Sequence, residues 1–189
     1  MNLLNAVQGV FHSPALHAAG WGFVSTFLLC VLLVITKRWH GALTMDFTDG
    51  IQKFHTAPTP RIGGVPIVLG LIVAWAKTPL DIKELLTPIL FAGMPAFLFG
   101  VAEDITKRVG VTQRLLATMA SGLLAWWITD YSLSRVDIWG VDWLMKFTLV
   151  SVLFTAFAIG GVANAINIID GFNGLASTMS TLALSLIHI

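Results

Sequence analysis

Residues 18–36 read AAGWGFVSTFLLCVLLVIT and contain no acidic, basic or histidine side chain. At 1.5 Å per residue, a helix over this stretch approaches the ~30 Å thickness of a bilayer core. No charged segment and no small-residue cleavage site precede it, as a signal peptide would require. The stretch therefore predicts a permanent membrane-spanning helix.

The composition of the whole chain supports the same class of protein. Apolar residues make up 56% of the chain and charged residues 11%, whereas soluble domains carry about 25% charged residues. The formal net charge is +1 and no basic run occurs, so we exclude a nucleic-acid partner. The single cysteine, Cys30, excludes a disulfide framework within these residues.

Cutting the chain at its charged residues predicts four further spans and a remnant. The spans cover residues 62–76, 85–102, 115–129 and 147–163, and the remnant covers residues 174–189. Tryptophans stand at or near most of the proposed ends, as the aromatic belts of membrane proteins do. We predict an all-α fold, a polytopic transmembrane helical bundle of five spans plus a truncated sixth. Residues 1–189 would form a single transmembrane domain and a fragment of a longer protein.

Loop charges predict the orientation of these spans. The loops 37–61, 103–114 and 164–173 hold seven of the Lys and Arg residues, and the opposite loops hold four. Because basic residues favour the cytoplasmic side, the first three loops are expected inside and the N-terminus outside. Polar motifs concentrate in these same three loops.

The first motif is DFTDGIQKFHTAPTPRIGG, residues 46–64. Lys53, His55 and Arg61 are three potential cations close to the membrane face, and arginine and lysine suit phosphate recognition. The alternative is an ordinary basic loop ahead of the second span.

The second motif is the acid pair Glu103-Asp104, which Lys107, Arg108 and Arg114 follow. Adjacent carboxylates at a helix end could bind a divalent cation or position a proton acceptor. The alternative is two local i,i+4 ion pairs, Glu103 with Lys107 and Asp104 with Arg108, which need no function.

The third motif is NAINIIDGFNG, residues 164–174. On a helix, Asn164, Asn167 and Asp170 fall within an arc of about 120° and form one polar face. Polar groups at membrane depth are costly unless they face a cavity, a ligand or each other. The alternative is an amide-lined seam between packed helices.

In this order, the motifs resemble those of the polyprenyl-phosphate N-acetylhexosamine-1-phosphate transferases. The acid pair of the family is Asp-Asp, so Glu103 lengthens the first acid by one methylene, and Asn173 stands where aspartate is more frequent. A second phosphotransferase family begins its signature D-x-x-D-G, which Asp46, Asp49 and Gly50 meet, but the rest of that signature is absent and we reject it. The matching residues are Lys53, His55, Pro58, Pro60, Arg61, Gly63 and Gly64 in the first motif, and Asn164, Ala165, Asn167, Asp170, Gly171, Asn173, Gly174, Leu175 and Ala176 in the third.

The resemblance implies an enzyme that moves a sugar-1-phosphate from a UDP-N-acetylhexosamine to undecaprenyl phosphate and releases UMP, at the start of cell-envelope polysaccharide synthesis. It implies Mg²⁺, with Mn²⁺ as an alternative, and a bacterial cytoplasmic membrane with the active site facing the cytoplasm. Members have ten or eleven spans, so this chain would be the N-terminal half, inactive alone; a homodimer is also compatible. The implied catalytic residues are Glu103, Asp104 and Asp170, with Asp104 and Asp170 at the metal. The implied substrate-binding residues are Lys53, His55, Arg61, Lys107, Arg114, Asn164, Asn167 and Asn173.

Two other classes compete with this interpretation. A transporter half-domain also carries intramembrane polar residues and broken helices, but it would place them near the midplane. A non-catalytic membrane scaffold is the third class. If the transferase interpretation holds, Lys53, Asp104 and Asp170 should border one cleft.

Overall fold

The computed structural model describes residues 13–46, 59–169 and 174–187. Over these residues the regular secondary structure is helical, apart from two paired strands of two residues each, β1 (Met45–Asp46) and β2 (Thr59–Pro60). Four residues of the predicted site lie outside the described ranges: Lys53, His55, Asp170 and Asn173.

The helices of the described residues fall into two compact units, Met1–Met45 with Pro60–Arg108 and Asp46–Thr59 with Val109–Ile189. The first unit holds α1 (Pro14–Ile35), α2 (Lys37–Thr44), α3 (Gly64–Lys77), α4 (Leu80–Ala92) and α5 (Met94–Thr106). The second unit holds α6 (Val111–Thr129), α7 (Val141–Leu144), α8 (Thr148–Ile169) and α9 (Leu175–Ile187).

In the first unit, α1 packs against α3 through glycines. A Cβ atom added at Gly22 would lie 2.8 Å from the Cβ of Ala74 and 3.1 Å from the carbonyl oxygen of Gly70. A Cβ atom added at Gly70 would overlap the Thr26 hydroxyl. Small residues let membrane helices approach closely, so these glycines set the distance between the two helices.

The predicted third span, residues 85–102, is broken in the structure. Helices α4 and α5 meet at Gly93 and bend by 47°. Pro88 inside α4 removes one helical hydrogen bond, and Pro95 in the first turn of α5 has no N–H with which α4 could continue through Gly93. The predicted span is therefore two helices that meet at a bend, which we call the α4–α5 corner.

In the second unit, α6 packs against α8 by the same means. A Cβ atom added at Gly122 would lie 2.9 Å from the Cα of Ala156, and one added at Gly160 would lie 2.9 Å from Cγ of Met119. The buried residues along this contact are small, as Ala117 and Ala156 illustrate. Close backbone approach therefore stabilises this helix pair too.

Residues 130–140 form a non-helical segment ahead of α7. The Leu133 N–H donates to Thr155 Oγ1 at 2.8 Å, and Ser151 Oγ donates to the Leu133 carbonyl oxygen at 2.6 Å. Farther along, the Val136 N–H donates to Asp142 Oδ1 at 2.8 Å. The first two bonds tie the segment to the first turns of α8, and the third ties it to α7.

Two helices of the described residues, α1 and α8, are long and apolar enough to cross a membrane. The bent pair of α4 and α5 makes a third if it is one span, and α3 and α9 are shorter apolar helices. Large apolar side chains such as Phe23, Leu32 and Phe157 are exposed, which demands apolar surroundings. The all-helical fold, with at least two helices able to span a membrane, is confirmed, and the count of five spans plus a sixth stays a prediction.

Candidate active site

One candidate cluster lies in the first unit, where Arg61 contacts both members of the acid pair. Arg61 follows β2, and Glu103 and Asp104 belong to the last turn of α5. Its Nη2 atom lies 3.9 Å from Glu103 Oε1, and its Nε atom lies 3.5 Å from Asp104 Oδ1. The first and second predicted motifs therefore meet in the structure.

The position of the acid pair explains why a cation is needed there. The last turn of a helix carries the negative end of the helix dipole, so two carboxylates there repel both the dipole and each other. Arg61 offsets this repulsion. The three side chains are 20–30% exposed, so water screens the attraction and the contribution to stability is modest.

Local pairing with Lys107 and Arg108 was the alternative for the acids. Helix α5 ends at Thr106, and Lys107 adopts a left-handed conformation with φ of 56°. The Lys107 N–H caps the helix by donating to the Glu103 carbonyl oxygen at 2.8 Å. Arg108 thus lies beyond the helix, and the i,i+4 geometry that a pair with Asp104 assumes does not exist.

A second cluster lies in the second unit, where Arg114 meets the amides of the third motif. Arg114 Nη2 donates to Asn164 Oδ1 at 3.1 Å. When the Asn167 amide is turned so that its oxygen faces the guanidinium, that oxygen accepts from Nη1 at 3.0 Å and Nη2 at 3.1 Å. The planar fork of arginine suits two acceptors at once, so Arg114 holds both amides in place.

Local structure at the start of α6 places Arg114 for this contact. Gln113 Oε1 accepts from the Gly110 N–H at 3.0 Å, and the Arg114 N–H donates to the Gly110 carbonyl oxygen at 3.1 Å. These bonds fix the first turn of α6. Asn164 and Asn167 share one face of α8, because residues three apart are neighbours on a helix. Both sides of the contact are therefore set by regular helix geometry.

The oxygen atoms of the acid pair suit a hard divalent cation. Mg²⁺ commonly binds through one or two carboxylates together with substrate phosphates and water, and Glu103 and Asp104 are both partly exposed. Within the described residues, no group of three or more His, Cys, Asp and Glu side chains surrounds a metal position. Asp170, the other predicted metal ligand, lies outside those residues.

The structure thus gives the predicted site residues more specific partners than the sequence did. Arg61 and Arg114 were predicted to bind substrate, and each contacts another predicted site residue. Neither contact has a local signal, because the partners are far apart in sequence. The only hint was that both arginines and their partners stand near helix ends in the same set of loops. The common cleft of Lys53, Asp104 and Asp170 stays a prediction.

Comparisons with known proteins agree with these motifs. The chain is 28% identical to the phospho-N-acetylmuramoyl-pentapeptide-transferase of Desulfitobacterium hafniense, over 85% of this chain and 51% of that protein. It is 26% identical to the probable undecaprenyl-phosphate N-acetylglucosaminyl 1-phosphate transferase of Bacillus subtilis, over 88% of this chain and 46% of that protein. It is 27% identical to the undecaprenyl-phosphate alpha-N-acetylglucosaminyl 1-phosphate transferase of Thermotoga maritima, over 83% of this chain and 46% of that protein.

The chain spans about half the length of these curated relatives. No solved structure matches it. The sequence model of glycosyl transferase family 4 matches residues 86–189, more than half of the chain. This match confirms the resemblance drawn from the motifs, and the chain belongs to glycosyl transferase family 4.

Proposed function

We propose that these residues are part of an enzyme that transfers N-acetylhexosamine-1-phosphate from a UDP-sugar to undecaprenyl phosphate. The product would be a lipid-linked sugar diphosphate for cell-envelope polysaccharide synthesis. The names of the relatives support the acceptor and the type of group transferred. The motif residues support a phosphate-handling site.

The proposed reaction exchanges one phosphorus–oxygen bond for another. An oxygen of the acceptor phosphate attacks the phosphorus attached to the sugar. The bond from that phosphorus to the bridging oxygen breaks, and UMP leaves with the bond's electron pair. Phosphoryl transfer of this kind depends mostly on positioning and on neutralising negative charge. The protein therefore needs fixed cations and fixed oxygen ligands.

The contact of Arg61 with Glu103 and Asp104 is the observation that carries the proposal. It keeps two partly exposed carboxylates beside a guanidinium at one helix end. Such an arrangement supplies both anionic ligands for a cation and a fork for phosphate oxygens. We assign Glu103 and Asp104 to positioning of the reacting phosphates, and Arg61 to orienting both carboxylates and binding phosphate.

The cluster of Arg114, Asn164 and Asn167 supports a second role, recognition of the nucleotide-sugar. Its amides are held by the arginine rather than left to rotate. Four further residues complete the proposed substrate-binding set. They are Lys107, which caps α5, and Lys53, His55 and Asn173, which lie outside the described residues.

A divalent cation would neutralise charge on the donor diphosphate when bound, and we propose Mg²⁺, with Mn²⁺ as an alternative. Asp104 and Asp170 would hold it, and Asp170 lies outside the described residues. The chemistry of carboxylate oxygens fits either ion.

We further propose that α1, α3, the α4–α5 pair, α6 and α8 are the five spans and that α9 begins a sixth. The site would face the cytoplasm of a bacterial inner membrane. The Lys and Arg distribution between loops supports this orientation.

A double-label assay tests the proposal. Membranes that contain the protein at the full length of its relatives would receive undecaprenyl phosphate, Mg²⁺ and UDP-GlcNAc with ³²P in the sugar-linked phosphate and tritium in the uridine. Transfer of sugar-1-phosphate moves ³²P into the lipid fraction and tritium into UMP. If ³²P stays in the aqueous phase with every UDP-sugar tried, the proposal is wrong.

A further inference from the structure

The first unit contains an apolar cavity that the proposed reaction does not use. Its volume is about 260 Å³, and it lies between α3 and the α4–α5 corner. Helix α3 contributes Val68, Ile72 and Trp75 to its lining. The opposite wall contains Leu90 and Phe91 of α4 and Met94, the first residue of α5.

The cavity offers almost no polar group to an occupant. The lining contains two polar side-chain groups, and they satisfy each other: Trp75 Nε1 donates to Thr87 Oγ1 at 2.9 Å. The Thr87 hydroxyl in turn donates to the Lys83 carbonyl oxygen at 2.6 Å. A nucleotide or a sugar would give up its hydrogen bonds to water there and form none with the protein, whereas a hydrocarbon chain has no hydrogen bonds to give up.

A cation stands at one end of this cavity. Lys83 Nζ lies 5.2 Å from the centroid of the Trp75 ring, which is part of the cavity wall. Within the described residues, the ion pairs do not include Lys83. Asp81 and Glu84 share this end of α4, so the end as a whole is not positive. The position of Lys83 over the wall of the cavity is what matters.

A second lysine lies over a tryptophan ring at the same end of the unit. Lys77 Nζ lies 5.6 Å from the centroid of the Trp21 ring. Tryptophan with lysine above it is typical of the headgroup level of a bilayer, where the lysine ammonium reaches water and phosphate. This pattern predicts that the cavity begins at headgroup level and continues into the apolar layer.

We propose that this cavity binds one acyl chain of an anionic diacyl phospholipid, with the lipid phosphate at Lys83. The α4–α5 corner creates the space for the chain, because Leu90, Phe91 and Met94 stand on both sides of Gly93. A bound lipid would stabilise the bend that the two prolines introduce.

The polyprenyl phosphate acceptor does not suit this site. Its phosphate must reach Arg61, which precedes the first turn of α3, whereas Lys83 follows the opposite end of that helix. Helix α3 has 14 residues, so its ends are about 20 Å apart. One phosphate cannot serve both ends, so a lipid whose phosphate lies at Lys83 is not the reacting acceptor.

Native mass spectrometry of the full-length protein in neutral detergent tests the lipid site. Phosphatidylglycerol and phosphatidylcholine would be added at equal concentration, and retained lipid would be counted from the masses. We expect phosphatidylglycerol to be retained about fivefold more, since one lysine near an anionic surface has about that effect. Lys83→Gln should remove the preference, and Lys83→Arg should keep it. Leu90→Trp should fill the cavity and abolish retention of both lipids.

Matched controls separate the site from the rest of the surface. Lys146→Gln and Leu153→Trp change an exposed lysine and an exposed leucine of the second unit and should leave retention unchanged. Circular dichroism would verify that each variant is folded. Equal retention of both lipids by the wild type, or unchanged retention in Leu90→Trp, would overturn the proposal. Displacement of phosphatidylglycerol by undecaprenyl phosphate would overturn it as well, by identifying the acceptor as the occupant. The masses require no turnover, so failure of the transferase proposal leaves this test intact.

Discussion

Arg61 Nε lies 3.5 Å from Asp104 Oδ1, and this contact joins two motifs that the sequence keeps apart. It brings the chain before α3 to the last turn of α5 within the first unit. The contact also offsets the repulsion between the acid pair and the negative end of the helix dipole. We therefore treat Arg61, Glu103 and Asp104 as one functional group.

A double-mutant cycle should detect the energetic coupling between Arg61 and Asp104. Arg61→Ala and Asp104→Asn should be non-additive by about 0.5–1 kcal/mol in unfolding free energy, because each change alone removes the same partly exposed pair. Detergent-induced unfolding in mixed micelles would measure it. The exposed pair of Arg135 and Asp137 is the matched control, with coupling near zero. Strict additivity for Arg61 and Asp104 would show that their contact contributes nothing.

The fork of Arg114 should matter more than its charge. Arg114→Lys keeps the charge but reaches only one amide, so we expect a loss of about 1 kcal/mol of unfolding free energy. Arg108→Lys, at an exposed arginine, serves as the control and should change little. Equal effects of the two substitutions would argue against a contact with both Asn164 and Asn167.

The approach of α1 to α3 should not tolerate a methyl group at Gly70. Gly70→Ala would force the helices apart and should cost about 1–3 kcal/mol of unfolding free energy. Gly20→Ala is the control, because a Cβ atom there meets nothing within 4 Å and alanine favours helix. Thermal unfolding in detergent compares them. A Gly70→Ala protein as stable as the control would mean that the two helices do not pack at this point.

The orientation of the spans can be tested with single cysteines in a Cys30→Ser background. Trp139 is fully exposed, and Trp139→Cys should react with an impermeant maleimide in intact cells. Thr106→Cys, at the end of α5, should react only after the cells are permeabilised. The reverse pattern would invert the proposed topology.

The apolar runs predicted the helices well because membrane spans are determined by local composition. The first span was predicted at residues 18–36 and α1 is Pro14–Ile35; Ser13, whose side chain accepts from the Leu16 N–H, starts the helix earlier. The single span at 85–102 was predicted without its corner, since membrane helices often tolerate proline and the sequence does not say which prolines bend the chain.

The site was predictable as a set of residue types and not as a set of contacts. The motifs identified Arg61, Arg114 and the acids, but the amides of α8 and the carboxylates of α5 are distant in sequence from the arginines that hold them. Pairing across such distances depends on how helices pack. The local i,i+4 alternative failed for Arg108 because the helix ends earlier than the spacing assumed.

A related expectation concerns the 189-residue chain by itself. We expect it to be inactive in the double-label assay, because it spans only about half the length of its relatives and the family resemblance implies that both halves are needed. Activity that Asp170→Asn abolishes would instead show that this half carries a complete site.

Release of UMP by the full-length protein and its Asp104→Asn variant tests the central claim most directly. Membranes with equal amounts of each protein would be compared at saturating UDP-GlcNAc, undecaprenyl phosphate and Mg²⁺. Loss of one preorganised charged group at a reacting centre typically costs about 100-fold in rate, and we predict a loss of that size for Asp104→Asn. Asp81→Asn, at the other end of the first unit, should stay within about twofold of the wild type. An Asp104→Asn protein that releases UMP as fast as the Asp81→Asn control would contradict the assignment of this acid pair to the reaction.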